Sequence, residues 1–318
     1  MNHSTELLFR PTSAELRFLP EGPYPLGGDR ISWVAIQHGA DAKIGSLNLL
    51  DLRTGKNVSY DLPGRPGFAF PCDDGHSFII GCERSLGVFR PDNGDWKVLC
   101  DNIDSAVEGT IINDGVVWQD CLIFGCKDLK FAEAKAGLYL WNGSQHRLTK
   151  LRDDQTCSNG KAVRITSNGT LELIDIDTPT KQVAMYTLDI ETGKFGPRRV
   201  LVDLTKNTGF PDGAILTPDG SGIIISIYNP EPSEYGETRL YDLASSEIKE
   251  VWRTVGSPQA TCPQLVEFDG RIVLVITTAV EHMSADRQKK APHAGSLFIA
   301  TTEFTSAASS PKFPLPHF

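Results

Sequence analysis

The sequence has no CxxC pair, no apolar run approaching the roughly 20 residues of a membrane-spanning helix, and little helical periodicity anywhere in its 318 residues. Each absence removes a class of protein. The seven cysteines, at positions 72, 82, 100, 121, 126, 157 and 262, are odd in number and scattered, which predicts reduced thiols and no disulfide framework. The first residues, MNHSTE, carry neither the basic nor the apolar stretch of a secretory signal, so a cytoplasmic location is expected. A basic excess is also missing: 31 Lys and Arg against 40 Asp and Glu give a net charge of −9, which argues against nucleic acid and an anionic membrane surface as partners. This acidity is spread along the chain and reads as solubility.

Several catalytic signatures are missing too. Ser158 lies in no G-x-S-x-G elbow and is not expected to be a nucleophile. The seven histidines form no HxxxH pair, although His282 and His293 share one long loop that could overhang a pocket. Gly27-Gly28-Asp29 precedes no helical pattern and is no phosphate loop. Cys126 and Cys157 have no evident activating base and read as structural thiols.

What the chain has in quantity is short β-rich runs between clusters of Gly, Pro, Asn and Asp. They fall into six groups, beginning near Ile31, Ser77, Val116, Ala162, Gly222 and Gln264. Hairpin turns such as Asp51–Lys56 and Asp189–Lys194 share the pattern D-x-x-T-G-K, with Gly supplying the positive φ that such turns require. Six groups of three or four strands without intervening helices predict an all-β fold, a six-bladed β-propeller with four-stranded antiparallel blades. We expect one domain over residues 1–318, with a core of about 14–301, an irregular loop at 281–294 and an irregular tail from 302 to 318. Trp33, Trp96, Trp118, Trp141 and Trp252 are expected to pack between blades.

Four short turns present oxygen side chains beside glycine: Glu21-Gly22-Pro23, Asn113-Asp114-Gly115, Ser158-Asn159-Gly160 and Pro211-Asp212-Gly213. Their leading oxygens are separated by 92, 46 and 53 residues, or about two, one and one units of a blade-length repeat. Equivalent places in four blades would bring the oxygens to one axis as a hard-metal site. Taken singly, an Asx-Gly pair is foremost a turn former. Asp175 and Asp177 are read as strand-end turn acids with a possible place in the site.

These motifs, continued by Leu173-Ile174-Asp175, Leu188–Gly193, Thr277-Thr278-Ala279 and Ala294–Phe298, resemble the SMP-30/gluconolactonase/luciferin-regenerating-enzyme family in order and spacing from about residue 14 to 301. The resemblance implies a six-bladed propeller with one divalent metal held by Glu21, Asn113, Asn159 and Asp212. Carboxylate and amide oxygens suit Ca²⁺ first, then Mg²⁺ or Mn²⁺, with Zn²⁺ admissible through the carboxylates. It further implies hydrolysis of a small lactone, with Asp212 as base toward water and Asn113 touching the substrate. The family's lactone-binding Arg is replaced by Ile111, and Lys127 and Asp128 are the residues expected to substitute for it. Two alternatives stay open: a non-catalytic calcium-binding or interaction propeller, and a phosphotriesterase-like hydrolase. A monomer or weak homo-oligomer is expected.

Overall fold

In the computed structural model, which describes residues 1–307 and 309–315, the chain forms the six antiparallel sheets of a β-propeller. Blades 1 to 4 take all their strands in chain order, whereas the sheets of blades 5 and 6 each gain one from the first residues. Blade 1 is Pro20–Pro25, Arg30–Ala35, Ser46–Asp51 and Asn57–Asp61, and blade 2 is Pro66–Pro71, Phe78–Cys82, Ser85–Arg90 and Asp95–Cys100. Blade 3 is Thr110–Trp118, Cys121–Asp128, Ala136–Asn142 and Arg147–Gln155. Blade 4 is Ser158–Ile165, Leu171–Asp177 and Gln182–Asp189, whose third strand pairs with both Lys194–Phe195 and Arg199–Asp203. Blade 5 is Phe210–Leu216, Gly222–Tyr228, Tyr235–Asp242 and Ile248–Val255, and blade 6 begins with Ala260–Phe268, Arg271–Thr278 and Leu297–Thr301.

The sequence explains which strands are central. Cys121–Asp128 and Ala136–Asn142 are buried at every position, and each opens with a six-residue run free of charged side chains, CLIFGC and AGLYLW, as strands covered on two faces do. The fourth strand of blade 1, Asn57–Asp61, is exposed or half-buried throughout. Blades 1, 5 and 6 form one compact unit (Met1–Arg65 and Lys206–Ser309), and blades 2, 3 and 4 form another (Pro66–Thr205 with the segment from Ser310). In the first unit Trp33 packs with Val266, Val273 and Leu297 between blades 1 and 6, and Trp252 packs with Leu265, Leu274 and Phe298 between blades 5 and 6. In the second, Ile123 and Leu140 of blade 3 meet Leu173 and Leu188 of blade 4. Trp96 departs from the expected inter-blade role, because its ring covers Gly87 of its own blade.

Three segments differ from the sequence reading. The first residues, expected to lie outside the core, are strands: Asn2–Ser4 adds parallel to Ile248–Val255, and Glu6–Phe9 supplies the fourth strand of blade 6. The 281–294 loop contains a helix, Ala285–Lys290, whose N-cap Ser284 accepts from Arg287 N. The tail is also anchored: Phe313 is fully buried, its N–H donates to Pro71 O at 2.9 Å, and its carbonyl accepts from Asp73 N at 3.0 Å. Residues 308 and 316–318 of the predicted tail lie outside the described residues.

Truncating a wholly buried aromatic leaves a cavity as well as losing transfer free energy. Phe313→Ala is therefore expected to destabilise the protein by about 3–5 kcal/mol, measured by urea unfolding. An unchanged midpoint would show that the tail contributes nothing to the fold.

Candidate functional site

In all six blades the first strand carries one extra residue relative to its partner. The register jumps between Glu21 and Tyr24, Pro66 and Phe68, Ile112 and Gly115, Asn159 and Lys161, Pro211 and Ala214, and Ala260 and Pro263. Such a bulge re-aims side chains and bends the strand. Glu21 and Asn159 are the last paired residues before the bulge of their blades, and Asn113 and Asp212 lie within it. Gly67 in blade 2 and Thr261-Cys262 in blade 6 lie within it as well.

Neighbouring bulges touch. A Cβ on Gly67 would lie 1.9 Å from Asn113 O, and one on Gly213 would lie 2.6 Å from Cys262 Sγ and 2.8 Å from Cys262 Cα. Only a residue without a side chain permits these approaches. Thr261 Oγ1 donates to Pro20 O at 2.7 Å, joining blade 6 to blade 1.

Asn113 and Asn159 meet directly. The Asn113 amide donates to Asn159 Oδ1 at 3.0 Å and to Ser158 O at 2.9 Å, and Asn159 Nδ2 donates to Thr178 Oγ1 at 2.9 Å. Both N–H bonds of Asn113 are thus engaged, so Oδ1 is the acceptor that its side chain can offer, and Asn159 Oδ1 retains a second lone pair. Both asparagines and Asp212 are buried, and Glu21 is half-buried with Oε2 accepting from Gly22 N at 3.0 Å. Burial, then the charges of Glu281 and Asp212, push the Tyr228 phenol well above its ordinary value. A neutral Tyr228, donating to Glu281 O at 3.1 Å, is a neighbour of Asp212 that its strand-end position in the sequence did not mark.

Carboxylate and amide oxygens are hard donors: in one unit Asn113 and Asn159 form an amide pair oriented by hydrogen bonds to its nitrogens, and in the other Glu21 and Asp212 supply carboxylates. Among the described residues no three His, Cys, Asp or Glu side chains gather as a metal-holding group. All seven cysteines are unbridged, and burial raises the Cys72 and Cys121 thiols to about 12.

The remaining predicted residues have these places. Lys127 lies directly opposite Ile111 in the register of blade 3, so both side chains project from the same face. Its Nζ lies 5.9 Å from the Phe131 ring centroid. Asp128 accepts from Lys130, Ala132 and Glu133 backbone N–H groups at 3.3, 3.0 and 3.1 Å. Burial works to raise its carboxyl, but these bonds and Lys135 prevail and hold it below the usual range. Asp177 accepts from Thr156 and Cys157 N–H groups, and Asp175 pairs with buried Lys161 at 3.2 Å. His282 is exposed, and His293 N donates to Gly256 O. A cavity of about 250 Å³, lined by Arg152, Gln155, Asp175, Asp177, Tyr186 and Arg198 among others, had no signal in the sequence because it joins blades 3 and 4.

The model of the SMP-30/gluconolactonase/LRE-like region matches residues 19–280, which include all four bulge-borne oxygens. The chain belongs to this family. It is 29% identical over 185 residues to the protein of Bacillus subtilis (strain 168) named "Putative sugar lactone lactonase YvrE". That alignment covers 56% of this chain and 57% of YvrE, so the chain spans little more than half of that relative. Among solved structures, the calcium-binding protein regucalcin of Agrobacterium tumefaciens gives a TM-score of 0.78 at 21% identity, covering 100% of this chain and 99% of that one. A luciferin-regenerating enzyme gives 0.77 at 16% identity, covering 93% and 95%. At these identities the two structures speak for the fold.

Two predictions follow from the local geometry. Gly67→Ala is expected to cost at least about 1–3 kcal/mol, because the added methyl meets backbone and not a flexible side chain; equilibrium unfolding measures it. Asp128 has a depressed carboxyl pKa, so its hold on the 129–133 loop is complete above the unfolded value near 4 and is lost as pH falls through the folded value. The protection factors of the amides in that loop, taken against the intrinsic exchange rate at each pH, should fall selectively on acidification, and Asp128→Asn should show the lower protection already at neutral pH.

Proposed function

We propose that the protein is a metal-dependent hydrolase that opens a small lactone, with Glu21, Asn113, Asn159 and Asp212 holding one divalent cation, Ca²⁺ by preference. The observation that carries this reading is that each of these four oxygen side chains borders or lies within the bulge of its blade's first strand. Membership of a family whose description includes gluconolactonase supports the reaction class, and the name of YvrE supports a sugar-derived or related small lactone. A bound dication supplies Lewis-acid polarisation of the lactone carbonyl.

The chain's own residues do the rest. Asp212 accepts the proton of a water that adds to the carbonyl carbon. Collapse of the adduct breaks the ring carbon–oxygen bond, and the proton passes to the ring oxygen to give the hydroxy acid. Asn113 orients the substrate, and Lys127, aligned beside Ile111, offers its ammonium where family members place an Arg. Asp128 acts on substrate only through the backbone it fixes, by holding the turn that follows Lys127.

The buried, apolar Ile111 favours one second reading, a calcium-binding propeller without turnover. Calorimetric titration with CaCl₂ and acid release from a panel of aldonolactones separate the two. The lactonase reading expects one cation per chain and cation-dependent acid release. Stoichiometric cation without turnover of any lactone would establish the second reading. Asp212→Ala is expected to lower kcat by at least about 10²-fold, the low end of what a general base contributes, and to weaken cation binding.

A further inference from the structure

The first strand of blade 4 holds a buried cation of its own. Lys161 has a fully buried side chain, and its Nζ donates to Ser158 Oγ at 2.6 Å and to Asn159 O at 2.8 Å, 3.2 Å from Asp175 Oδ1. Asp175 also accepts from Gln155 Nε2 and, at 3.4 Å, from Ser158 Oγ. The register explains why the lysine is there. Asn159 is opposite Ile176 and Lys161 is opposite Asp175, with Gly160 the extra residue. Adjacent residues of the partner strand face opposite ways, so the bulge turns Asn159 and Lys161, two apart in sequence, to opposite faces. One face carries the predicted ligand, and the other carries the ammonium beneath it.

From the ammonium the bonds lead to both asparagines. Lys161 grips the carbonyl of Asn159 and the hydroxyl of Ser158, while the carbonyl of Ser158 and the Oδ1 of Asn159 receive the amide of Asn113. Space has been cleared for the arrangement, since a Cβ on Gly125 would fall 2.0 Å from Ser158 Oγ. The Lys161 charge is compensated by Asp175, so its repulsion of a nearby dication is largely cancelled and its geometric effect prevails. We infer that Lys161 is a positioning residue, whose neutralised ammonium fixes the bulge that aims Asn159 and, through Ser158, Asn113 at a divalent cation. This rests on the cation-site reading above.

The test is calcium titration of the intact protein by calorimetry, with thermal unfolding of the calcium-free protein run in parallel. The double variant Lys161→Met/Asp175→Asn removes both charges, so neither is left buried alone. It is expected to lose about 10–100-fold in calcium affinity, the scale of lost support behind a ligand, while keeping the melting temperature within a few degrees. Gly125→Ala approaches the same turn from blade 3 and is expected to weaken calcium in the same direction. The side-chain amide resonances of Asn113 and Asn159 should shift in both. Should the double variant not fold, Gly125→Ala decides alone. Unchanged affinity in the folded variants overturns the positioning role and leaves the cation site standing. A wild-type protein that binds no calcium, magnesium, manganese or zinc overturns the cation site and this inference together.

Discussion

One added residue in the first strand of each blade is the constraint on which this structure depends. Strand side chains alternate with a period of two, so a single inserted residue reverses the facing of everything beyond it. Before the bulge the first strand can present oxygen to a ligand, and beyond it the same strand resumes the apolar alternation that packs the blade. The requirement is paid at the backbone, which must approach its neighbour closely: Gly67 against Asn113 and Gly213 against Cys262 leave no room for a β-carbon. The sequence signature that a reader sees as an Asx-Gly turn is therefore an interruption within a strand, and glycine serves contact as much as curvature.

The acidity of the chain acquires a different meaning once the bonds are traced. The net charge of −9 suggests solubility, yet a set of the aspartates is occupied with backbone N–H groups. Asp51, Asp74, Asp128, Asp189, Asp219 and Asp242 each accept such bonds at the turn or loop they adjoin. At these six sites the bonds hold the carboxyl below its ordinary value. A propeller has many short strands and hence many turns, each leaving donors without ladder partners. Carboxylates are the strong acceptors for that purpose, so an acid excess is a natural companion of the architecture.

What could be read from the sequence was whatever is encoded locally. The D-x-x-T-G-K turns fold as expected because Asp51 and Asp189 bond to residues two and three places on. Blade count and strand order were legible from the recurrence of apolar runs, and the family was legible from motif order. The bulge position of Glu21, Asn113, Asn159 and Asp212 was legible as spacing, while the bond from Asn113 to Asn159 joins residues 46 apart and had no local trace. Lys161 leaves no mark in the sequence because a lysine after a glycine reads as a solvated strand residue, and only the register reveals Asp175 opposite. The N-terminal strands and Phe313 are silent in the sequence for the same reason. Glu6-Leu7-Leu8-Phe9 is a short apolar run whose partner, Leu297–Thr301, lies at the other end of the chain.

That last pairing sets a timetable for synthesis. Glu6 pairs with Ile299, so the fourth strand of blade 6 leaves the ribosome almost a whole chain before its partner. At about 5–20 residues per second the wait is on the order of 15–60 seconds, during which Glu6–Phe9 is an unpaired edge. Brevity limits the hazard, because four residues with an acid at the start offer little template for a stray strand. The sheet that joins the two ends of the chain is accordingly the last to be completed. Any event that delays Leu297–Thr301 leaves Glu6–Phe9 without its partner.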